Sequence, residues 1–388
     1  YKTIVNSLKI VEICYENLVL SKIKKSSYNV FMKTLSLAMI VKDEEGCLAT
    51  CLSSVKACVD EIIIVDTGST DKTKEIAKSF TDKVYDFEWV QDFSKARNFS
   101  FDKATCDYIM WLDADDLVRE ESVKNIIEWK EKGEDCETLM CKYVTSFDKD
   151  YNPTFQFYRE RIVKNLPNLR WRDPIHEVII PYGKVIYRDD IFVYHNKKNK
   201  PYTDRNLSIY RKMIADKVTF TPRQQFYYAR ELYFNGLYDE AIHQFSKFLS
   251  EGKGWSENNI EACLNLSKCY QRKGEDKNAL TSLFGSFVYD QPRGEVLYEI
   301  ATIFERKKEY KKAIYWYKLA LASSPNVESG GFVNIDCYQF LPALQLCVCY
   351  YKIGDIISSM HYHEIAKAFK PDDQAVKYNT EFFKNYQA

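Results

Sequence analysis

The segment Tyr108-Ile-Met-Trp-Leu-Asp-Ala-Asp-Asp116 constrains this chain most. Five apolar residues end in three carboxylates, Asp113, Asp115 and Asp116. Such a run reads as a buried strand. An ionised carboxylate is far too costly to bury alone. These three must therefore reach water, a cation or a partner. Carboxylates at i and i+2 beyond a strand can be aimed at one divalent ion. Hard cations such as Mg²⁺ take oxygen ligands and usually keep substrate phosphates in their shell. An acidic turn capping the next helix satisfies the same constraint, so the rest of the chain must separate the two readings.

Residues 34–116 alternate strand and helix. Leu35–Val41 is an apolar run followed by Lys42-Asp-Glu-Glu45. Residues 47–57 have helical periodicity, with Leu48, Cys51, Leu52 and Val55 on one side. Glu61-Ile-Ile-Ile-Val-Asp66 is a second strand ending in a carboxylate, and Thr67-Gly-Ser-Thr-Asp71 leads into a helix reaching about Phe80. Ser, Thr and Asp are good N-caps there, and Gly68 relaxes the turn. A short strand at 82–86, a helix at 93–104 and the strand before Asp113 complete the pattern. Such alternation predicts a mostly parallel α/β sheet with helices on both faces. Ligands in sheets of this kind bind beyond the carboxyl ends of the strands, where Asp43, Asp66, Asp113 and Asp115 all fall. A helix at 119–132 and strands near 137–146, 154–164, 184–188 and 191–195 follow. The polar and aromatic segment Arg170–Val178 lies among them, and His195 closes the last strand before the basic loop Asn196–Tyr202.

From about Asp204 the pattern becomes all-α and repetitive. Gly236, Gly274, Lys308 and Gly354 recur at intervals of 38, 34 and 46 residues. Ala241, Ala279 and Ala313 each stand five residues after their anchor. The pattern resembles tetratricopeptide repeats, helix–turn–helix units of roughly 34 residues. The longer last interval implies an insertion near 326–338. Stacks of this kind present surfaces for partners, so an extended peptide or a second copy of the chain, as a homodimer through the repeats, is the expected occupant.

Composition narrows the function. Lys plus Arg and Asp plus Glu number 55 each, so no basic field exists for a nucleic-acid backbone. Twelve cysteines are scattered without a CxxC pair, which fits a reduced, cytoplasmic protein. No apolar stretch is long enough to span a bilayer as a helix. Residues 1–33 read as an amphipathic, helical N-terminal extension, with Ile10, Val11, Ile13, Leu18, Leu20 and Ile23 as its apolar side. The expected division is therefore 1–33, 34–203 and 204–388.

Four ordered motifs make a more specific match. They are Met39-Ile-Val-Lys-Asp-Glu-Glu45, Ile64-Val-Asp-Thr-Gly-Ser-Thr-Asp71, Asp92-Phe-Ser-Lys-Ala-Arg-Asn98 and Trp111-Leu-Asp-Ala-Asp-Asp116. Together they resemble a family 2 glycosyltransferase with the A-type, nucleotide-diphospho-sugar transferase fold. With the C-terminal repeats, the layout is similar to bacterial peptide S- and O-glycosyltransferases of the sublancin and thurandacin (glycocin) type.

The resemblance implies a UDP-sugar donor, UDP-glucose first among them. It implies that Val41, Asp43, Glu44, Asp66, Arg97 and Asp113 hold the nucleotide, with Asp66 at the uridine and Asp113 at the ribose or near the metal. It implies Mg²⁺ or Mn²⁺ at Asp115, with His195 completing the metal shell as a neutral imidazole. For the acceptor side it points to Asp173, His176 and Glu177, among which Glu177 and Asp173 are candidate bases. A thiol acceptor, with a pKa of about 8.5, needs little help to ionise. A salt bridge to Arg170 or Arg172 is the structural alternative for Glu177. The expected activity is metal-dependent, inverting transfer of a hexose to Cys or Ser of a peptide such as a bacteriocin precursor. A transferase acting on cell-envelope polysaccharide or lipid-linked sugar, and a non-catalytic repeat scaffold, are the alternatives. The basic loop, carrying Lys197, Lys198 and Lys200, is expected to close over the diphosphate.

Overall fold

The computed structural model describes residues 32–147, 153–196, 204–326, 330–331, 333–384 and 386. The proposed N-terminal helix, save residues 32–33, and the basic loop beyond Asn196 lie outside the described residues.

The first half follows the expected alternation. Its elements are β1 (Leu35–Val41), α1 (Leu48–Val55), β2 (Glu61–Asp66), α2 (Thr73–Lys78), β3 (Val84–Asp86), α3 (Phe93–Phe101) and β4 (Tyr108–Trp111). The chain continues through β5 (Asp116–Val118), α4 (Glu120–Lys132), β6 (Thr138–Phe147), β7 (Pro153–Lys164), β8 (Trp171–Arg172), β9 (Val178–Ile179) and β10 (Val185–His195). The main sheet runs β3-β2-β1-β4-β7-β6-β10-β5. Its first four strands are parallel, as the strand–helix alternation requires. Beyond them β7 runs antiparallel to β4 and β6, β10 is parallel to β6, and β5 antiparallel to β10.

Alternate residues of β1 serve opposite faces, the two-residue period of a strand. Leu35, Leu37, Met39 and Val41 pack with Leu48, Leu52 and Val55 of α1 and with Ile126 and Trp129 of α4. Ala38 faces the other way, joining Ile109, Trp111, Phe101 of α3, Trp171 and Ile179. Both faces are thus covered, and each apolar side chain removed from water contributes roughly 1.5–3 kcal/mol.

Two details depart from the sequence reading. Strand β4 ends at Trp111, and a three-residue strand, β5, starts at Asp116, so the acidic cluster is a tight loop between two strands. Strand β10 is one element rather than two, because a register shift between Arg188 and Phe192 carries the pairing with β6 across the gap.

The second half is a stack of helices. They are α5 (Arg205–Ala215), α6 (Pro222–Phe234), α7 (Tyr238–Glu251), α8 (Ser256–Arg272), α9 (Asp276–Gly285), α10 (Gly294–Arg306), α11 (Tyr310–Ala322), α12 (Phe340–Lys352), α13 (Ile356–Phe369) and α14 (Gln374–Lys384). The four repeat anchors sit in the turns of the pairs α6–α7, α8–α9, α10–α11 and α12–α13. Gly236, Gly274, Lys308 and Gly354 all have left-handed backbones, with φ of 74°, 76°, 60° and 83°. The aligned Ala241, Ala279 and Ala313 are fully buried, where their small side chains let helices approach closely. No helix among the described residues is long and apolar enough to cross a membrane.

The region is not purely helical. Between α11 and α12, the two-residue strand β11 (Val333–Asn334) returns to the main sheet and pairs with Phe155 and Gln156 of β7. The insertion inferred from the long repeat interval thus ties the repeats to the α/β half.

Candidate active site

The loops after β1, β2 and β4 meet at one end of the sheet. After β1, Asp43 adopts a left-handed backbone, which aspartate tolerates. Its carboxylate accepts from the amide and hydroxyl of Thr70 at 2.7 and 3.2 Å, and its amide donates to Ser69 Oγ. The Glu44 amide donates to Thr73 Oγ1 at 2.7 Å. The first two motifs therefore clamp each other. After β2, Asp66 Oδ1 accepts from the amides of Gly68 and Ser69, while its buried Oδ2 has no hydrogen-bond partner.

Helix α3 begins at Asp92, whose side chain accepts from the Lys95 amide and caps the helix. The next turn carries Arg97. Its buried guanidinium donates to Asp113 Oδ1 and Glu177 Oε1, each at 2.7 Å, and stacks over Trp111 and Trp171. Glu177 therefore pairs with Arg97 rather than with Arg170 or Arg172. Burial alone would raise the Asp113 pKa. Arg97 and Arg161 outweigh burial and hold the carboxyl well below the usual range.

The pairing of β5 with β10 sets His195 directly opposite Asp116. His195 Nδ1 lies 3.5 Å from Asp115 Oδ1 and 3.5 Å from Asp116 Oδ1. One ligand atom from each of these residues falls within 4.8 Å of the other two. His195 Nδ1 and Asp116 Oδ1 are buried without a hydrogen-bond partner. Two carboxylates and an imidazole with orphaned polar atoms fit a divalent cation of the Mg²⁺ or Mn²⁺ class. Burial raises the Asp115 pKa, helped by the carboxylates of Asp113, Asp116 and Glu44. Burial disfavours the His195 imidazolium, yet Asp116, Asp115 and Asp113 raise its pKa overall.

One cleft of about 720 Å³ gathers Val41, Glu44, Arg97, Asp113, Asp115, His176, Glu177 and His195, eight of the site residues proposed from sequence. Asp43, Asp66 and Asp173 are not among its lining residues. Asp173 and His176 are bound to the repeats. Asp173 Oδ1 accepts from Gln224 Nε2 at 2.7 Å, and His176 Nε2 lies 2.8 Å from Glu231 Oε1. Burial pushes the Asp173 pKa up.

Sequence reasoning missed Asp116 as part of the metal-ligating group, and Arg161 altogether. Asp116 Oδ2 accepts from the Asp113 amide and from Arg161, whose guanidinium is wholly buried between Trp111 and Tyr143. The third carboxylate of the acidic run was the available signal for Asp116. Arg161 gave none, because it reads as one of several charges along β7.

Comparison with known proteins points to a class. Residues 36–202 match the model of glycosyl transferase family 2. A TPR repeat-containing protein of Synechococcus elongatus is 36% identical over 149 residues, 38% of this chain and 36% of that relative. The SPbeta prophage-derived glycosyltransferase SunS of Bacillus subtilis is 28% identical over 239 residues, 58% of this chain and 55% of that relative. The lipopolysaccharide core biosynthesis glycosyltransferase LpsC of Rhizobium meliloti is 23% identical over 265 residues, 61% of this chain and 92% of that relative. The matches thus cover between about a third and about half of the first two relatives' lengths. The chain joins a segment that matches glycosyl transferase family 2 to a tetratricopeptide-like helical stack.

Proposed function

We propose that the chain transfers a hexose from a UDP-sugar to a Cys or Ser side chain of a peptide, with inversion, and that residues 34–203 do the chemistry while 204–388 receive the acceptor. The observation that carries this reading is the convergence of Asp115, Asp116 and His195, with Asp115 and His195 lining the cleft that also holds the Arg97–Asp113–Glu177 network. Those three residues would hold Mg²⁺ or Mn²⁺, which supplies charge neutralisation for a departing diphosphate.

The remaining roles belong to the chain itself. Asp66 Oδ2 is a buried acceptor without a donor, suited to a polar hydrogen of the nucleoside. Arg97 fixes Asp113 in its ionised form beside the ribose. Glu177 lines both the cleft and a second, larger cavity of about 1260 Å³. Arg159, His176 and His195 also border both spaces. Donor and acceptor brought through the two spaces would meet there, within reach of Glu177 as base.

The walls of the larger cavity support a peptide acceptor. They come from both halves of the chain: Phe155, Phe157 and Tyr158 on β7, Tyr227 on α6, Trp255 before α8, and Tyr338 beyond β11. Aromatic walls offer apolar contact to side chains, and a peptide extended along helical repeats suits such a surface. The likeness to LpsC favours a second reading, in which the acceptor is a saccharide.

Incubation with UDP-glucose, UDP-N-acetylglucosamine or GDP-mannose, each with Mg²⁺ or Mn²⁺, tests the donor assignment. UDP release confined to a UDP-sugar and abolished by chelator is expected. Turnover of GDP-mannose alone would contradict it. Mass spectrometry of Cys- and Ser-containing peptides against oligosaccharides then separates the two acceptor readings.

A further inference from the structure

The segment from Asp173 to Glu177 is unusually tied to a helix outside the family 2 domain. Asp173 and His176 both have left-handed backbones, with φ of 71° and 52°. Asp and His tolerate this conformation better than most residues, and here side-chain contacts hold it. Most of the contacts on the C-terminal side come from α6. Gln224 Nε2 donates to Asp173 Oδ1 at 2.7 Å, and Arg223 donates to the His176 carbonyl at 3.1 Å. Glu231 Oε1 meets His176 Nε2 at 2.8 Å, and Tyr227 stacks on the His176 ring at 4.3 Å. Between these two residues, Ile175 is buried in the core of the first repeats. On the other side, the Pro174 carbonyl accepts from the Phe93 amide at the start of α3, the helix that carries Arg97. Glu177 follows directly, and Arg97 holds it.

We infer that α6 is a positioning element of the transfer centre. Gln224 and Glu231 are positioning residues that fix the Asp173–His176 backbone and thereby aim Glu177 at the reacting side of the cleft. This rests on the reading above that Glu177 belongs to the transfer centre. It adds that the helical stack sets the rate of the chemical step as well as receiving an acceptor.

The side chains allow a sharp test, because Gln224 has two separable roles. Its Oε1 accepts from the Thr221 amide and completes the capping box of α6, while its Nε2 serves Asp173. Gln224→Glu keeps the cap and replaces the donor by a carboxylate facing Asp173. Glu231→Ala removes the bond to His176, and Glu231→Gln restores one. The assay is metal-dependent UDP release from UDP-glucose into water by the full chain, with UDP affinity and thermal midpoint measured alongside.

Gln224→Glu and Glu231→Ala are expected to lower kcat by on the order of tenfold or more, as small misplacements of catalytic groups do. KM for UDP-glucose and UDP affinity should hold, and Glu231→Gln should recover most of the rate. Unchanged kcat in folded Gln224→Glu, with Asp115→Ala inactive, would overturn this inference and leave the proposed function standing. UDP affinity falling in step with the rate would also overturn it, by reducing α6 to a structural support. Full turnover by Asp115→Ala would instead overturn the proposed function itself.

Discussion

Asp116 turns its two oxygens towards different neighbours. Oδ2 accepts from Arg161 and the Asp113 amide, and Oδ1 faces His195. Removing it leaves the buried Arg161 guanidinium without its directly paired carboxylate, and breaking a buried pair from one side costs about 3–5 kcal/mol. Asp116→Ala should therefore lose about that much in denaturant unfolding, whereas Asp115→Ala, which removes a partly exposed carboxylate, should stay near wild type. Equal stability of the two variants would contradict this division. The residues legible in sequence, Asp113, Asp115 and His195, are those at strand ends, where a polar residue after an apolar run needs explaining. Arg161 was illegible because its burial depends on two rings, Trp111 and Tyr143, from other strands. No local pattern encodes that sandwich.

Elements were more legible than their ends. The strand–helix alternation and the repeat spacing came through because both rest on apolar period. Strand β5 did not, since three residues beginning with an aspartate carry no period. Among the repeat turns, Lys308 alone occupies a left-handed position that glycine fills in the other three. A side chain there costs roughly 1–2 kcal/mol, partly offset by glycine's greater freedom when unfolded. Lys308→Gly should then stabilise the chain by about 0.5–1 kcal/mol, read as a higher denaturant midpoint, and destabilisation would refute the argument.

At the opposite end of β2, Glu61 joins three elements. Burial alone would raise its pKa, but Lys83, Ser36 and both donors of Thr105 outweigh it and bring it down to about 2. A carboxyl depressed on folding stabilises above its unfolded pKa of about 4.5 and loses that contribution as pH falls towards about 2. Glu61→Gln should thus lower the thermal midpoint at neutral pH, and its difference from wild type should shrink across that acid window. A gap that stays constant through the window would count against the account.

For the molecule as a whole, sequence reasoning found two modules and missed how they are joined. Ile175 is part of the repeat core, α6 holds Asp173 and His176, and β11 extends the sheet at β7. None of these joins could be read from the chain, because each involves one or two residues whose partner lies far along the sequence. The four motifs and the repeat anchors could be read, because each is a local pattern with a fixed period or a fixed turn. The central claim is that Asp115, Asp116 and His195 hold the cation that binds the diphosphate of a UDP-sugar. Titration calorimetry of UDP with the full chain, with and without Mn²⁺, tests it most directly. UDP should bind tightly only with Mn²⁺, and His195→Ala should weaken that metal-dependent binding on the order of 10–100-fold. UDP affinity that is the same with chelator as with Mn²⁺, or unchanged in both His195→Ala and Asp115→Ala, would contradict it.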